Sequence, residues 1–301
     1  MFDYNEQIYV KKKFIKSLID YKEVDSFSMN SLNTWLSSSN LSEKEEYYIL
    51  NILSRAQYYN EAHLIKALHE ILNNKIIPHI EFEINHRLVD EYIDKPLSYS
   101  ENKYKTILKK TAFIPLLDRN KPNESSNGMM RLLTNNGIIN ESQCCFLDEI
   151  IGNELWNEFD YFVIFDDSIG TGGQLLRFLN LPEIETLRMN LKTPEHMFFA
   201  CILAIYKGLN NVSEYINVLY CDYYGPEFDV FSKDSIYWRN DSERDTAYAV
   251  LNELCKNRGI TIKGRRRLAY AIFIAKTTPN WTLPIFWREL NNGTLTKRRS
   301  T

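Results

Sequence analysis

The stretch "YFVIFDDSIGTGGQLLRFL", Tyr161 to Leu179, decides which fold this chain is expected to adopt. It opens with apolar residues of strand length, continues with two adjacent aspartates and a turn containing three glycines, and ends in a new apolar periodicity. This order predicts a buried strand, a tight turn and a helix. Because open α/β sheets bind ligands at the carboxyl ends of their strands, we expect Asp166 and Asp167 at the mouth of a site.

Short apolar runs alternate with helical patterns along the rest of the chain after residue 110. In order, the runs are "TAFIPLL" before "GMMRLL", "YFVIF" before "QLLRFL", and "MFFACILAIY" before "KGLNNVSEYI" and "NVLYCDYY". This alternation predicts an α/β fold with a mostly parallel sheet flanked by helices. We interpret Met197 to Tyr206 as a strand because Lys207 and a turn glycine, Gly208, follow it; a buried helix is the alternative.

The first third of the chain has helical periodicity instead. "SEKE", Ser42 to Glu45, is a capping box that opens one helix, and Asn60 is placed to cap a second helix, "EAHLIKALHEIL". These signals predict an all-helical amino-terminal region over residues 1–105.

Composition restricts the class of protein. The chain has 301 residues and a net charge of -3, which gives no electrostatic argument for nucleic acid or an anionic membrane as an obligatory partner. The start lacks a secretory pattern, and no apolar run reaches the roughly 20 residues of a membrane helix. Neither the five cysteines nor the five histidines show metal-ligand spacing. We therefore expect a soluble, reduced, cytoplasmic protein without a membrane partner.

The residues after the two aspartates suit a phosphate group. Small residues let backbone N–H groups turn inward, and the start of a helix adds partial positive charge. The carboxylates would accept hydrogen bonds from a vicinal diol or help to position Mg²⁺, which takes oxygen ligands. A phosphate group beside a vicinal diol is the pattern of a ribose 5-phosphate. The alternative is that these residues only end a strand and cap a helix, which requires no ligand. The predicted phosphate-binding residues are Ser168, Ile169, Gly170, Thr171, Gly172 and Gly173.

The segment "FVIFDDSIGTGGQ", Phe162 to Gln174, resembles the signature of the type I phosphoribosyltransferases. The resemblance implies that Asp166 and Asp167 contact the ribose hydroxyls of phosphoribosyl pyrophosphate (PRPP) and hold Mg²⁺, directly or through water. It also implies that the loop binds the 5-phosphate. Two positions depart from the family pattern: Gly170 replaces a more usual Ser, Thr or Ala, and Gln174 replaces Thr or Ser.

Two further segments extend the resemblance. "AFIPLLDRNKPNESSNGMMRLL", Ala112 to Leu133, occupies the place of the family's first strand, pyrophosphate loop and next helix. Arg119 and Lys121 are accordingly candidate pyrophosphate contacts, with an ordinary surface loop as the alternative. We expect a phosphoribosyltransferase-like domain over residues 106–292 and a basic tail over residues 293–301.

"TTPNWTLPIFW", Thr277 to Trp287, resembles a segment of a divergent bacterial branch of this superfamily found in antiphage conflict systems, including retrons. This resemblance implies a toxin-like effector controlled by partner components, such as a reverse transcriptase and its nucleic acid. We interpret Trp281, Phe286 and Trp287 as core or interface residues, and base stacking is the alternative.

Chemistry at the anomeric carbon follows from such a site. As pyrophosphate leaves PRPP, positive charge grows on the ribose, where a carboxylate stabilises it, and Asp167 is the better candidate to face the ring. Transfer to a base and hydrolysis of a nucleotide glycosidic bond both remain open. The alternatives are a non-catalytic module that senses PRPP or a nucleotide, and a structural subunit with a relic pocket; a homo-oligomer is open in each case.

Overall fold

The computed structural model describes residues 3–84, 97–116, 125–264, 267–275, 277–290 and 293–298. The chain divides into two compact units, Met1–His63 with Gly225–Ser300 and Leu64–Tyr224 with Thr301. We call them the discontinuous unit and the central unit.

Helices and strands are numbered in chain order. The α-helices are α1 Tyr4–Asp20, α2 Met29–Ser38, α3 Glu43–Leu53, α4 Glu61–Ile71, α5 Leu97–Lys109, α6 Ser125–Asn135, α7 Leu147–Gly152, α8 Gly173–Leu179, α9 Pro182–Asn190, α10 Tyr206–Val212 and α11 Asp241–Asn257. The strands are β1 Gln57–Tyr59, β2 Thr111–Pro115, β3 Tyr161–Ile169, β4 Met197–Ile205, β5 Val218–Tyr224, β6 Ile272–Ile274, β7 Thr277–Thr278 and β8 Lys297–Arg298.

The central unit contains a parallel sheet in the order β2-β3-β4-β5. Every residue of β4 is buried, which explains its continuous apolar sequence, since a parallel strand covered on both faces needs no polar alternation. The strand interpretation of Met197 to Tyr206 is therefore confirmed, but α10 begins directly at Tyr206. Gly208 lies inside α10 and is not the turn residue that the sequence suggested.

The discontinuous unit has a small sheet in the order β1-β6-β7-β8. Its core joins apolar side chains of α1, α2, α3 and α11 to those of β6 and the segment after β7. Trp281, Phe286 and Trp287 are buried in this unit, as the core interpretation predicted. Amino-terminal and carboxyl-terminal parts of the chain thus share one core, because each alone leaves an apolar face uncovered.

Both predicted helix caps are present. The Ser42 hydroxyl accepts the Glu45 N–H, and the Glu45 carboxylate accepts the Ser42 N–H at 2.7 Å. Asn60 Oδ1 accepts the His63 N–H at 2.7 Å at the start of α4. These caps satisfy N–H groups that have no partner within the first helical turn.

The compact units divide the chain differently from the segments expected over residues 1–105, 106–292 and 293–301. Those segments stay a prediction about domains. Part of the expected basic tail is packed: Leu295 and Thr296 are buried, and Lys297–Arg298 forms β8 beside β7. The predicted class, an α/β fold with mostly parallel strands flanked by helices, is confirmed.

Candidate phosphate and ribose site

The carboxyl edge of β3 extends beyond its neighbour β2. Pairing with β2 ends at Pro115 opposite Phe165, followed by one hydrogen bond from the Leu116 N–H to the Phe165 carbonyl at 3.0 Å. Pairing with β4 continues to Ile169 opposite Ala204. Residues 166–169 therefore form a strand end with a neighbour on one side and the start of α6 near the other, at the edge where such sheets bind ligands.

Asp166 and Asp167 lie within β3 and are 4% and 2% exposed. The sequence pattern suggested that the two aspartates follow the strand, but they lie inside it, because pairing with β4 carries β3 past them. Asp166 Oδ1 accepts hydrogen bonds from the Ser125 hydroxyl and from the Asp167 N–H, both at 2.8 Å. Asp167 Oδ1 accepts one from the Ser168 hydroxyl at 2.8 Å. Because successive strand side chains point to opposite faces, the two carboxyl groups have different neighbours.

The turn between β3 and α8 is shorter than the predicted loop. Ser168 and Ile169 belong to β3, Gly170 to Gly172 form the turn, and Gly173 is the first residue of α8. Gly172 has a φ of 72°, in the left-handed region that favours glycine. The helix that follows has 7 residues, so backbone N–H groups of the turn matter more for anion binding than a helix dipole.

Two glycines bring the turn and α10 into backbone contact. A Cβ atom on Gly172 would lie 2.6 Å from Cγ1 of Val212 and 3.1 Å from the Gly208 carbonyl oxygen. A Cβ atom on Gly208 would lie 2.9 Å from the Gly170 carbonyl oxygen. Packing against α10 therefore requires glycine at both positions, independently of any ligand.

Gln174 is a site residue that the sequence pattern gave no role. Its Nε2 donates to the Leu116 carbonyl at 2.9 Å, and the Ser126 hydroxyl donates to the same oxygen at 3.3 Å. These two bonds connect the first turns of α8 and α6 to the residue that follows β2. Ser or Thr, which is usual at this position of the family, has a shorter side chain and would not reach the Leu116 carbonyl. The presence of Gln in place of Ser or Thr was therefore the feature of the sequence that could have indicated this contact.

A comparison with protein-family models gives a match over residues 32–298 to the family described as PRTase-CE. The chain belongs to the PRTase-CE family. This is a phosphoribosyltransferase-type family, in agreement with the resemblance of Phe162 to Gln174. A comparison with curated proteins finds no match. In the part of the chain that the structure describes, no helix is long and apolar enough to cross a membrane.

The remaining predicted contacts of this PRTase-CE site, Arg119 and Lys121, lie outside the described residues. Ser125, which binds Asp166, follows that segment at the start of α6. Cys201 pairs with Asp166 across β3 and β4. Burial raises the pKa of the Cys201 thiol well above its usual value, and the Asp166 charge raises it further, so this thiol is not a nucleophile at neutral pH.

The donor set of the PRTase-CE site fits Mg²⁺ only in combination with ligand oxygens. Two carboxylates supply the hard oxygen atoms that Mg²⁺ prefers. Among the described residues, however, no group of three or more His, Cys, Asp or Glu side chains could hold a metal ion by itself. Mg²⁺ commonly binds through one or two carboxylates together with water and substrate phosphates, and Asp166 or Asp167 could supply such a carboxylate.

Proposed function

We propose that this PRTase-CE protein binds a ribose 5-phosphate compound, PRPP or a nucleotide, at the carboxyl edge of β3 and acts at its anomeric carbon. One observation carries the proposal. β3 extends beyond β2 and brings two aspartates, the glycine turn and the start of α6 to one edge of a parallel sheet. Acidic side chains and a glycine-rich turn at one strand end suit the two ends of a ribose 5-phosphate, the diol and the phosphate.

The turn is proposed to hold the 5-phosphate. Gly170 and Gly172 carry no side chain that would keep an anion from the backbone N–H groups. Ser168 and Thr171 are half-buried, whereas Ile169, Gly170 and Gly172 are buried. The Thr171 hydroxyl is therefore the proposed side-chain donor of the turn, and the Ser168 hydroxyl, which donates to Asp167 Oδ1, would have to turn away from that carboxylate to donate to a phosphate. Ile169 contributes backbone only, because its side chain packs in the core.

The aspartates are proposed to act on the ribose. When the bond between the anomeric carbon and the leaving group breaks, the electron pair departs with that group and positive charge develops on the ring. The new bond to this carbon then forms from a base nitrogen in transfer or from a water oxygen in hydrolysis. The Asp167 carboxylate stabilises this charge and accepts hydrogen bonds from the ribose hydroxyls. Asp166, oriented by Ser125, keeps a second negative charge close by. Asp166 and Asp167 would hold Mg²⁺, directly or through water, and the ion would supply neutralisation of the charge on a departing pyrophosphate.

A second candidate is a module that binds PRPP or a nucleotide without turning it over. The departures of Gly170 and Gln174 from the family pattern favour this candidate, since Gln174 Nε2 donates to the Leu116 carbonyl and not towards a ligand. The two candidates share the site and differ in whether a covalent bond breaks.

The biological setting we propose rests on the sequence of Thr277 to Trp287. Its resemblance to the conflict-system branch supports a retron-like antiphage effector in the cytoplasm, controlled by a reverse transcriptase and its nucleic acid. Toxicity would then come from consumption of PRPP or of a nucleotide. Phage protection in cells that carry the chain with its neighbouring genes, compared with cells that carry the Asp167→Asn variant, tests this setting.

The biochemical test is incubation of the purified chain with PRPP and a panel of nucleotides, with and without Mg²⁺. Mass spectrometry detects released pyrophosphate or base, and isothermal titration detects binding. We expect Mg²⁺-dependent product formation that Asp167→Asn abolishes. Binding without product would establish the sensing candidate. If neither PRPP nor any nucleotide bound, both candidates would be wrong.

A further inference from the structure

Helix α1 of the discontinuous unit has apolar side chains on two opposite sides. Ile8 and Ile15 are buried in the core of this unit. On the solvent side, Val10 and Phe14 are 49% and 48% exposed, and Tyr21, the residue that follows the helix, is 80% exposed. A surface helix ordinarily has one apolar stripe and a polar face opposite it, so the core of this unit does not account for the second stripe.

Exposed apolar side chains concentrate on this helix. Among the residues that the structure describes, eleven large apolar side chains are exposed, and Tyr9, Val10, Phe14 and Tyr21 are four of them. Single exposed apolar residues are normal on a protein surface, whereas a contiguous patch marks an interaction surface. The outer side of α1 is therefore a candidate surface for a protein partner.

The exposed stripe has the spacing of a helix-pairing seam. Positions 10, 14, 17 and 21 are separated by four, three and four residues, which places them in one line along the helix. We call Val10, Phe14, Ser17 and Tyr21 the α1 seam. The Ser17 hydroxyl donates to the Phe14 carbonyl at 2.7 Å, so Ser17 can enter an apolar contact without an unsatisfied donor. Its small side chain also leaves space for Phe14 of a facing helix.

Charged residues follow one side of the α1 seam at seven-residue spacing. They are Glu6, Lys13 and Asp20, all exposed. In an antiparallel pair of α1 helices that places Val10 opposite Tyr21, Lys13 of one copy lies beside Asp20 of the other. Because a two-fold axis repeats every contact, this arrangement has two such ion pairs. Asp20 already pairs with Lys16 of its own helix, and a carboxylate has acceptor positions for a second donor.

The neighbouring antiparallel register along the same seam is disfavoured by these charges. It places Phe14 opposite Val10 and brings the two copies of Lys13 together. Glu6 then lies beside Asp20 of the other copy, so both flanking contacts join like charges, which weakens association. Charge complementarity therefore selects the first register over this one.

The apolar area of the patch suits a second copy that binds weakly. At about 200 Å² for a whole aromatic side chain, Phe14 and Tyr21 leave roughly 250 Å² open on each copy, which is about 500 Å² in a pair. Val10, Tyr9 and the stems of the charged residues bring the contact towards about 1,000 Å², the lower end of specific protein interfaces. We therefore expect a reversible dimer with a Kd in the micromolar range.

We propose that α1 is a self-association surface and pairs antiparallel with α1 of a second copy of this chain, in the register that places Val10 opposite Tyr21. Contact between identical patches about a two-fold axis closes the assembly at two copies. The α1 seam belongs to the discontinuous unit, whereas Asp166 and the glycine turn belong to the central unit. This inference goes beyond the function proposed above and does not depend on it.

Sedimentation velocity of the full chain over about 1–100 µM tests the self-association. The unchanged chain should pass from monomer to dimer in this range. Phe14→Glu should weaken the dimer about tenfold or more, because it puts two carboxylates into an apolar contact. Met189→Glu, at a 73% exposed position of α9, is the matched control and should change the dimer Kd by less than about twofold. Both substitutions replace exposed side chains, so both variants should keep the Tm of the unchanged chain.

Two further sets of variants test the register. Lys13→Glu alone and Asp20→Lys alone should each weaken the dimer, and the two together should restore it, because the ion pairs form again with exchanged signs. Val10→Cys with Tyr21→Cys should give a disulfide-linked dimer on oxidation. Val10→Cys alone should not, because the two copies of residue 10 lie about 16 Å apart along the helix axis.

Three results would overturn the proposal. The first is an unchanged chain that stays monomeric over the whole concentration range, and the second is equal weakening by Phe14→Glu and Met189→Glu. The third is a failure of the register tests, either a covalent dimer from Val10→Cys alone or no recovery of affinity when Lys13→Glu and Asp20→Lys are combined.

Discussion

The hydroxyl of Ser125 donates to Oδ1 of Asp166 at 2.8 Å, which connects the first residue of α6 to a strand residue 41 positions later. The same oxygen accepts the Asp167 N–H at 2.8 Å. Two donors on one oxygen fix the orientation of the carboxyl group. The contact therefore sets where α6 begins relative to the carboxyl edge of β3, and so determines part of the shape of the proposed ribose site.

Ser125→Ala tests the structural side of this contact. A buried carboxylate that loses a hydroxyl donor keeps its desolvation cost, so we expect the free energy of unfolding to fall by about 1–2 kcal/mol. Urea denaturation measures this change in the free energy of unfolding. Ser213→Ala, at an exposed position after α10, is the matched control and should change stability by less than about 0.5 kcal/mol. Equal effects of the two substitutions would show that the contact does not hold the edge together.

Asp166→Asn and Asp167→Asn test the site. Asparagine keeps an acceptor oxygen but loses the charge, so each variant should fold while PRPP affinity falls about tenfold or more, with the larger loss of turnover in Asp167→Asn. Isothermal titration of each variant with PRPP, in the presence of Mg²⁺, measures the affinity for PRPP. Because both side chains are buried, the double variant should also lose stability, which an exposed pair would not. Unchanged PRPP affinity in both single variants would remove the aspartates from the site.

The arrangement of strands and helices in the central unit followed from the sequence for a physical reason. Continuous apolar runs such as Met197 to Ile205 occur where both faces of a strand are covered, and the glycine turn after β3 marks the change to a helix. The division of the chain into two compact units did not follow from the sequence. The core shared by α1, α3 and β6 depends on contacts between distant residues, such as the hydrogen bonds that span 186 positions from Asn51 to Tyr237 and 249 positions from Ser26 to Ala275, which local periodicity does not encode.

The sequence predicted a site at the end of β3 but not that the strand would continue past both aspartates and bury them. The residue types after Phe165 identify a turn next to carboxylates, yet the length of β3 depends on pairing with β4, which no local pattern specifies. Gln174 shows the same limit. Its role comes from the distance to the Leu116 carbonyl, a tertiary property, and not from the helix that contains it. Residue chemistry therefore suggested the candidate site, whereas the sheet register determines the geometry of its residues.

Gln174 and Ser126 donate to one carbonyl, so their contributions should overlap. Gln174→Ala alone should reduce the free energy of unfolding by about 0.5–1 kcal/mol, because Ser126 still satisfies the Leu116 carbonyl. With Ser126→Ala added, the buried oxygen loses both donors and the combined loss should exceed the sum of the single losses. A double-mutant cycle by urea denaturation measures this excess. Strict additivity would mean that the two bonds are independent.

Stability should fall at alkaline pH. Burial raises the pKa of Cys145 to about 11 and of Cys144, Cys221 and Cys255 to about 12, from an unfolded value of 9.0. Above about pH 9 the unfolded chain releases these protons and the folded chain keeps them, so folding weakens as pH rises. Each proton that the folded chain retains lowers the free energy of unfolding by about 1.4 kcal/mol per pH unit.

Tyr47, whose pKa burial raises from 10.0 to about 12, adds to the alkaline loss above about pH 10. Lys11 acts in the opposite direction, because its folded pKa is lowered and its destabilising charge disappears as pH rises. Urea midpoints at about pH 8 and about pH 10 measure the net effect. The drop should be smaller in Cys255→Ala, where one retained proton is removed. An unchanged midpoint between the two pH values would contradict the burial of these thiols.

Gly172→Ala tests whether packing, as well as ligand binding, requires glycine in the turn. The added Cβ atom would meet Val212 Cγ1 at 2.6 Å and impose a φ of 72° on a residue with a side chain. We expect a loss of about 2–4 kcal/mol in the free energy of unfolding, from the left-handed conformation and from crowding. Thermal and urea denaturation measure it, and PRPP titration of the folded fraction measures the ligand.

The control for this prediction is Gly128→Ala in α6, where nothing lies within 4 Å of the new Cβ atom and helix propensity should raise stability slightly. Gly208 is unsuitable, because a Cβ atom there would meet the Gly170 carbonyl and disturb the same turn. Val212→Ala removes the clashing methyl group, so it should cost less stability in the Gly172→Ala background than alone. If Val212→Ala cost the same in both backgrounds, contact with α10 would not be what requires Gly172, and ligand approach would be the remaining reason.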